Sequence, residues 1–148
     1  MAALKMEDLC QIGIVVRDIE RTAANYARLL GLPVPEIVLT DPEEKAHTRY
    51  RGRPTKARAK LAFFQVGGMA VELIEPDDAP STWREFLKTH GEGLHHLGFK
   101  VQGMDGIIAG LAQEGIELVQ RGDYEGGRYA YLDAVARLGF ILELLEDR

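Results

Sequence analysis

The chain has 148 residues, a formal net charge of −5 and a single cysteine. This length suits one compact domain that buries about two thirds of its unfolded surface, and the acidic balance argues against a nucleic-acid partner. One cysteine allows neither an internal disulfide nor a thiolate metal site, which favours a cytoplasmic protein, and no segment approaches the ~20 apolar residues that cross a membrane.

The first half of the chain predicts a strand, a helix and a hairpin. Residues 9–16 form a short apolar run typical of a strand. Asp18 can cap the following helix through its carboxylate, and Gly31 ends that helix. The segment 41–60 is polar and rich in turn-forming residues, and two strands within 60–74 are separated by a pair of glycines, which indicates a hairpin.

The second half repeats this plan after a connecting helix. Residues 81–91 begin with a capping-box pattern at Thr82 and predict a short helix. A strand is expected at 94–101, a helix from about 105 to 114, a strand at 116–120, and a hairpin over 128–145.

The halves also match residue by residue. Leu-Cys-Gln-Ile-Gly-Ile-Val-Val at 9–16 returns as Leu-His-His-Leu-Gly-Phe-Lys-Val at 94–101, so Gln11 and His96 are equivalent positions. The chain is therefore expected to be an α+β protein built from two similar modules.

A second repeat lies in the two hairpins. Val-Glu-Leu-Ile-Glu at 71–75 corresponds to Leu-Glu-Leu-Leu-Glu at 142–146, which makes Glu72 the counterpart of Glu143. Four potential metal ligands thus occupy two pairs of equivalent sites.

Strand periodicity predicts which way these residues face. Side chains alternate along a strand, so Gln11 shares a face with Gly13, and His96 shares a face with Gly98. The intervening apolar residues face the helices, and all four polar residues project from the uncovered face. The glycines would leave room for a cavity beside the ligands; the alternative is that they mark bulges.

The chemistry of the four residues indicates a divalent metal. An imidazole, two carboxylates and an amide oxygen suit zinc, manganese, iron, cobalt or nickel better than calcium. Carboxylates inside a sheet also need a charge partner, which a cation supplies. The sequence therefore predicts a metal site formed by Gln11, Glu72, His96 and Glu143.

At these residues the sequence resembles the vicinal-oxygen-chelate superfamily, which includes glyoxalase I, methylmalonyl-CoA epimerases, extradiol dioxygenases and bleomycin-resistance proteins. The resemblance covers nearly the whole chain and is nearest to the epimerase branch. It rests on Gln11-Ile12-Gly13-Ile14, on Glu72-Leu73-Ile74-Glu75-Pro76, and on the stretch from Phe86 to His96.

The resemblance implies the arrangement of the whole chain. Residues 1–148 would form one domain, with module 1 at about 8–76, module 2 at about 93–146, and a short helical linker at about 81–91. Each module would be β-α-β-β-β, and a pseudo-two-fold axis would relate the two in a curved mixed sheet around the metal bound at the four positions.

Gln11 departs from the epimerase pattern, which has histidine there. The resulting set of Gln, Glu, His and Glu is similar to that of zinc-dependent glyoxalase I, so the resemblance favours zinc, with cobalt, nickel, manganese or magnesium as alternatives. Extradiol dioxygenases need two histidines and one carboxylate for iron, so that activity is not expected.

The leading functional hypothesis is a metal-dependent isomerase or epimerase that moves a proton alpha to a carbonyl, on a substrate such as a short-chain acyl-CoA. Glu143 is the residue named as the base, and the metal would act as a Lewis acid. The alternatives are a glyoxalase I-like lyase and a non-enzymatic, antibiotic-type binding protein.

The expected substrate is a small anionic molecule. Lys60 and Arg128 occupy equivalent strand positions, and the resemblance suggests that they face the cavity and bind this substrate. The cationic block at 45–60 is either a solvated loop or a surface that attracts the anionic substrate. His95 is expected to be a hydrogen-bonded core histidine, and Cys10 a small buried residue on the covered face of its strand. As in several members of the superfamily, a homodimer is expected.

Overall fold

The computed structural model describes residues 4–148, so the first three residues of the expected domain lie outside the described part. After a 3-10 turn at Met6–Asp8, the helices are α1 (Ile19–Leu30), α2 (Glu43–Ala46), α3 (Thr82–His90), α4 (Met104–Gln113) and α5 (Val135–Leu138). The strands are β1 (Leu9–Val15), β2 (Val38–Leu39), β3 (Arg49–Tyr50), β4 (Arg53–Pro54), β5 (Ala59–Val66), β6 (Met69–Pro76), β7 (Gly93–Lys100), β8 (Leu118–Tyr124), β9 (Gly127–Asp133) and β10 (Ile141–Asp147).

All ten strands form one curled mixed sheet in the order β2-β5-β6-β1-β7-β10-β9-β8-β3-β4. The strands β1 and β7 pair antiparallel at the centre, β6 is parallel to β1, and β10 is parallel to β7. The first four strands in this order repeat as the next four in reverse, which is the arrangement of two β-α-β-β-β modules. The α+β fold class expected from the repeat is confirmed.

The two long module helices cover one face of this sheet. Asp18 caps α1 by accepting a hydrogen bond from the Arg21 backbone at 3.1 Å, and Gly31 ends the helix with a positive φ of 67°. Ile19 and Ala23 of α1 pack on the core of module 1, and α4 packs in the same way on module 2. None of the helices within 4–148 is long and apolar enough to cross a membrane.

The connecting helix α3 lies against the other face of the sheet. Trp83 and Leu87 pack there with Val15, Ile74 and Tyr131 in a separate buried cluster. The residue that caps α3 is Ser81, whose hydroxyl accepts from the Arg84 backbone at 3.0 Å. The expected capping box at Thr82 is therefore wrong by one position.

The polar segment between β2 and β5 joins the two edges of the sheet. Val38 of β2 pairs with Leu61 at one edge, whereas Arg49 and Tyr50 of β3 pair with β8 from the other module. Only nine residues separate the two pairings, so this segment fixes the curl of the sheet. The β3–β4 hairpin was not expected from the turn-forming residues at 41–60.

The strand β1 contains a bulge that changes the orientation of Cys10. Its pairing with β7 shifts register between Leu9 and Gln11. Leu9 packs with the core of module 2, while Cys10 is only half-buried and lines the cavity on the concave side of the sheet. The expectation that Cys10 lies on the covered face is therefore wrong, because a bulge interrupts the alternation of side chains.

Each of the two predicted glycines faces a polar residue across the central strand pair. Gly13 lies opposite His96 and beside Glu72, and Gly98 lies opposite Gln11 and beside Glu143. A Cβ atom added at Gly13 would overlap the His96 ring, and one added at Gly98 would lie 2.7 Å from Glu143 Oε1. The glycines therefore make room for the facing side chains, and a register shift after Gly13 shows that it also marks a bulge.

Replacing Gly13 with alanine should lower the free energy of unfolding by about 1–3 kcal/mol, because the new methyl group displaces the His96 ring in a packed interior. Gly106→Ala is the matched control. That glycine lies in α4 with no atom within 4 Å of an added Cβ, so the change should raise stability by up to about 1 kcal/mol. Urea unfolding of both variants tests this; a Gly13→Ala protein as stable as wild type would contradict it.

Candidate metal centre

Four side chains from four strands meet at one point on the concave side of the sheet. The nitrogen His96 Nε2 lies 3.2 Å from Gln11 Oε1, 3.4 Å from Glu72 Oε1 and 3.1 Å from Glu143 Oε1. The structure therefore brings together all four residues that the sequence proposed as ligands.

The cluster is buried and short of hydrogen-bond donors. The exposed fraction is 0% for His96, 7% for Glu72 and 3% for Glu143. Because Nε2 carries at most one hydrogen, it cannot serve three oxygens. Glu72 Oε1 and Glu143 Oε1 have no hydrogen-bond partner among the described residues. A buried carboxylate oxygen without a partner is costly, so this site favours an added cation.

The spacing of these donors suits a metal ion. Ligand atoms held about 2.0–2.2 Å from a zinc ion are themselves separated by about 3–3.5 Å, and the three distances from His96 Nε2 fall in this range. Within 4–148, however, no group of three or more His, Cys, Asp or Glu side chains is arranged to hold an ion as it stands. The oxygens instead gather around the histidine nitrogen, so an ion would take the place of the Nε2 hydrogen and separate them.

Burial and charge shift the pKa values of His96, Glu72 and two neighbouring tyrosines. Burial alone lowers the pKa of His96, but the carboxylates of Glu143 and Glu72 outweigh it and raise the pKa to about 9. Burial is also the main reason that the pKa of Glu72 is raised. The pKa values of Tyr129 and Tyr131 rise through burial and then through the same two carboxylates, so both phenols stay neutral.

The cluster opens into a cavity of about 600 Å³. Gln11, Glu72 and Glu143 line it, and much of the remaining wall is aromatic, formed by Phe63, Trp83, Tyr124, Tyr129 and Tyr131. Trp83 Nε1 donates to the Tyr131 hydroxyl at 3.0 Å, which fixes two of these rings. Strand periodicity and the repeat did not predict this aromatic wall.

Lys60 and Arg128 do not face the cavity. Leu61 and Phe63 line it, so alternation along β5 turns Lys60 to the helix side, where it lies 3.7 Å from Glu75. In β9, Tyr129 and Tyr131 line the cavity, so the same alternation places Arg128 on the helix side. There Arg128 pairs with Glu146 and Asp105. The expectation that these two residues face the cavity is therefore wrong.

Cations are scarce around the cavity. Lys100 is the one Lys or Arg among its lining residues, and its ammonium pairs with Asp147 at 2.7 Å. None of the basic residues at 45–60 lines it; Arg49, for example, donates to the Gly52 carbonyl and Arg58 to the Thr40 carbonyl. The site thus lacks the cationic surface expected for an anionic substrate.

His95 is a buried, hydrogen-bonded histidine, as the sequence predicted. Its Nε2 lies 3.2 Å from the Thr82 hydroxyl, and burial together with the neighbouring His96 lowers its pKa well below 6.5. What alternation did not predict is its contact with the cluster, because His95 Nδ1 lies 2.9 Å from His96 Nδ1.

The two histidines should differ in charge at neutral pH in metal-free protein. His96 should titrate near pH 9, and His95 should remain neutral throughout. Because the pKa of His96 is raised on folding, its contribution to stability is present below about pH 6.5 and is lost as the pH rises through about 9. Imidazole NMR shifts of chelator-treated protein measure both values; a His96 pKa at or below 6.5 would contradict the charge balance described above.

Comparison with known proteins places the chain in a family. Residues 10–131 match the profile of the Glyoxalase/Bleomycin resistance protein/Dioxygenase superfamily. The uncharacterized protein YqjC of Bacillus subtilis (strain 168) is 27% identical over 146 residues, which cover 97% of this chain and 94% of that protein.

Solved structures share the fold. A hypothetical protein from Bacillus halodurans C-125 superposes with a TM-score of 0.66 at 23% identity, over 95% of this chain and 94% of the other. Methylmalonyl-CoA epimerase from Mycobacterium tuberculosis superposes with a TM-score of 0.65 at 21% identity, over 100% of this chain and 93% of the other. With the superfamily profile covering most of its length and its modules forming the same curled sheet, this chain belongs to the Glyoxalase/Bleomycin resistance protein/Dioxygenase superfamily.

Proposed function

We propose that the protein binds a divalent metal through Gln11, Glu72, His96 and Glu143 and catalyses proton transfer at a carbon next to a carbonyl. One observation carries the proposal: two buried carboxylate oxygens without hydrogen-bond partners surround a single imidazole nitrogen beside a cavity of substrate size. Zinc is the first metal to test, because it accepts both nitrogen and oxygen ligands in compact sites.

The chemistry is divided between the metal and the chain. A bound divalent ion supplies Lewis-acid polarisation of a carbonyl oxygen. Glu143 lines the cavity, so its carboxylate can accept the proton from the adjacent carbon. Tyr131, whose hydroxyl accepts a hydrogen bond from Trp83, packs against the His96 ring with the ring centroids 5.0 Å apart. This packing limits the access of water to His96.

The substrate hypothesis comes from the similar structures. A protein of this fold acts as a methylmalonyl-CoA epimerase, which supports a short-chain acyl-CoA as a candidate and epimerisation as the reaction. A glyoxalase I-like reaction on a thiol adduct uses the same kind of proton transfer and is the second reaction to assay.

We further propose a cytosolic homodimer. The exposed apolar strand β2 at one edge of the sheet supports self-association.

Zinc-loaded protein should exchange the alpha hydrogen of methylmalonyl-CoA for deuterium, and Glu143→Gln should slow the exchange by about 10²–10⁴-fold through loss of the base. The amide should still hold the metal, since Gln11 already offers an amide oxygen in the same cluster. Glu72→Gln is the control: it changes the symmetry-related carboxylate and should slow exchange much less. Proton NMR follows the reaction.

Two outcomes of this assay would change the assignment. Absence of exchange with zinc-loaded wild type would remove this substrate, and thioester formation from methylglyoxal and glutathione by the same preparation would assign the lyase reaction instead. Equal loss of exchange in both variants would reject Glu143 as the specific base.

The composition of the cavity wall favours a second candidate, a protein that binds a small aromatic molecule without reaction. Asp41, Asp123 and Glu125 line the cavity, opposed there by Lys100. Asp123 also pairs with Arg148 at 3.6 Å, which offsets part of its charge. Aromatic walls and a net acidic lining suit an uncharged or cationic aromatic ligand.

Trp83 is the single tryptophan of the chain and lines the cavity, so its fluorescence reports occupancy. Titration with benzylammonium, benzyl alcohol and benzoate compares a cationic, a neutral and an anionic ligand that share a phenyl ring. Under the binding hypothesis, the cation and the alcohol should bind more tightly than the anion, and Glu125→Gln should weaken the cation alone. Tightest binding by benzoate would contradict it and would support an anionic substrate.

A further inference from the structure

A second buried histidine contacts the candidate metal ligand from behind. His95 Nδ1 lies 2.9 Å from His96 Nδ1, and both side chains are buried. On its far side, His95 Nε2 lies 3.2 Å from the hydroxyl of Thr82. The three groups form a continuous hydrogen-bonded row that leads away from the cluster.

The row has one arrangement of hydrogens that allows metal binding. Two nitrogens 2.9 Å apart share a single hydrogen, so one must donate and the other accept. A metal needs the lone pair of His96 Nε2, which leaves the hydrogen of His96 on Nδ1. His96 then donates to His95 Nδ1, and His95 carries its own hydrogen on Nε2 and donates it to Thr82.

The reverse arrangement blocks the site. If His95 Nδ1 were the donor, His96 would accept at Nδ1 and keep its hydrogen on Nε2, pointing at the oxygens where a metal must bind. If both nitrogens of His96 carry a hydrogen, Nδ1 still donates to His95, so the direction of this hydrogen bond is the same as in the arrangement that allows metal binding.

Packing holds His95 in place. The ring meets Phe86 edge-on at 5.3 Å and Tyr131 edge-on at 5.2 Å. Thr82 is fixed in turn, because its backbone N–H donates to the buried Gln120 amide oxygen at 2.8 Å, and Gln120 donates to the Tyr129 hydroxyl at 3.0 Å. The acceptor nitrogen of His95 therefore cannot turn away from His96.

The internal repeat supports a role specific to this histidine. The residue that precedes Gln11 is Cys10, so the equivalent position in module 1 has no imidazole. An amide oxygen needs no control of tautomer, whereas an imidazole ligand does. The row of hydrogen bonds occurs beside the one ligand that requires it.

We propose that His95 is a positioning residue that accepts a hydrogen bond from His96 Nδ1 and so keeps His96 in the tautomer that offers Nε2 to the metal. This inference rests on the proposed metal binding. His95→Phe retains an aromatic ring but has no acceptor, whereas His95→Asn retains an acceptor near the position of Nδ1.

The dissociation constant for zinc, measured by competition with a chelator, should rise by about 10–100-fold in His95→Phe and by much less in His95→Asn. Thr82→Val is a second variant in case His95→Phe does not fold; it removes the acceptor of His95 Nε2 and should weaken zinc binding in the same direction. Thermal unfolding of the metal-free variants shows whether they are folded, and a purely structural role would lower stability without this difference in zinc affinity.

NMR of metal-free wild type gives a readout that needs no metal. With ¹⁵N-labelled histidine, the hydrogen should be found on His96 Nδ1 and on His95 Nε2, with a ¹⁵N–¹⁵N coupling between the two Nδ1 atoms. A hydrogen on His95 Nδ1, or unchanged zinc affinity in the folded variants, would overturn this inference alone. Wild-type protein that binds no zinc would instead overturn the proposed function and, with it, the role of His95 toward a metal.

Discussion

The antiparallel pairing of β1 with β7 is the constraint on which the site depends. It sets each central glycine against a polar residue of the opposite strand, Gly13 against His96 and Gly98 against Gln11. The parallel neighbours β6 and β10 then add one glutamate beside each glycine. Because strand register changes in whole residues, a slip of one strand by one position would turn the ligand on that strand to the helix side. The cluster is therefore as well defined as the sheet itself.

This pairing concentrates negative charge that a single imidazole cannot fully balance. Two carboxylates share one imidazole, and the resulting shortage of donors leaves one oxygen of each glutamate without a partner. Such an arrangement costs stability in the folded chain unless a cation joins it. Burial first, and then the charge of the same two carboxylates, raises the pKa values of Tyr129 and Tyr131 in the cavity wall.

Much of this could be predicted from the sequence, because the repeat encodes it directly. Matching Gln11 with His96, and Glu72 with Glu143, located the cluster, and period-two alternation placed all four on one face. Where a strand is apolar on both sides, the sequence did not show which of its two faces meets the cavity. In β9 the cavity takes Tyr129 and Tyr131 while the module core takes Ala130 and Leu132, a contrast that hydrophobicity alone does not show.

Other features depend on geometry that local patterns do not contain. The bulge in β1 turned Cys10 toward the cavity, and the β3–β4 hairpin pairs with a strand of the other module some 70 residues away in sequence. The contact between His95 and His96 joins adjacent residues that ideal alternation would place on opposite faces. These features come from pairing irregularities and tertiary closure.

Metal content per chain tests the central claim most directly. After incubation with zinc and dialysis, elemental analysis should find one zinc ion per chain in the wild type and none in the double variant Glu72→Gln/Glu143→Gln, which removes both buried negative charges but leaves His96 in place. Wild-type protein that retains no ion, or a double variant that retains as much as wild type, would contradict a metal site at this cluster.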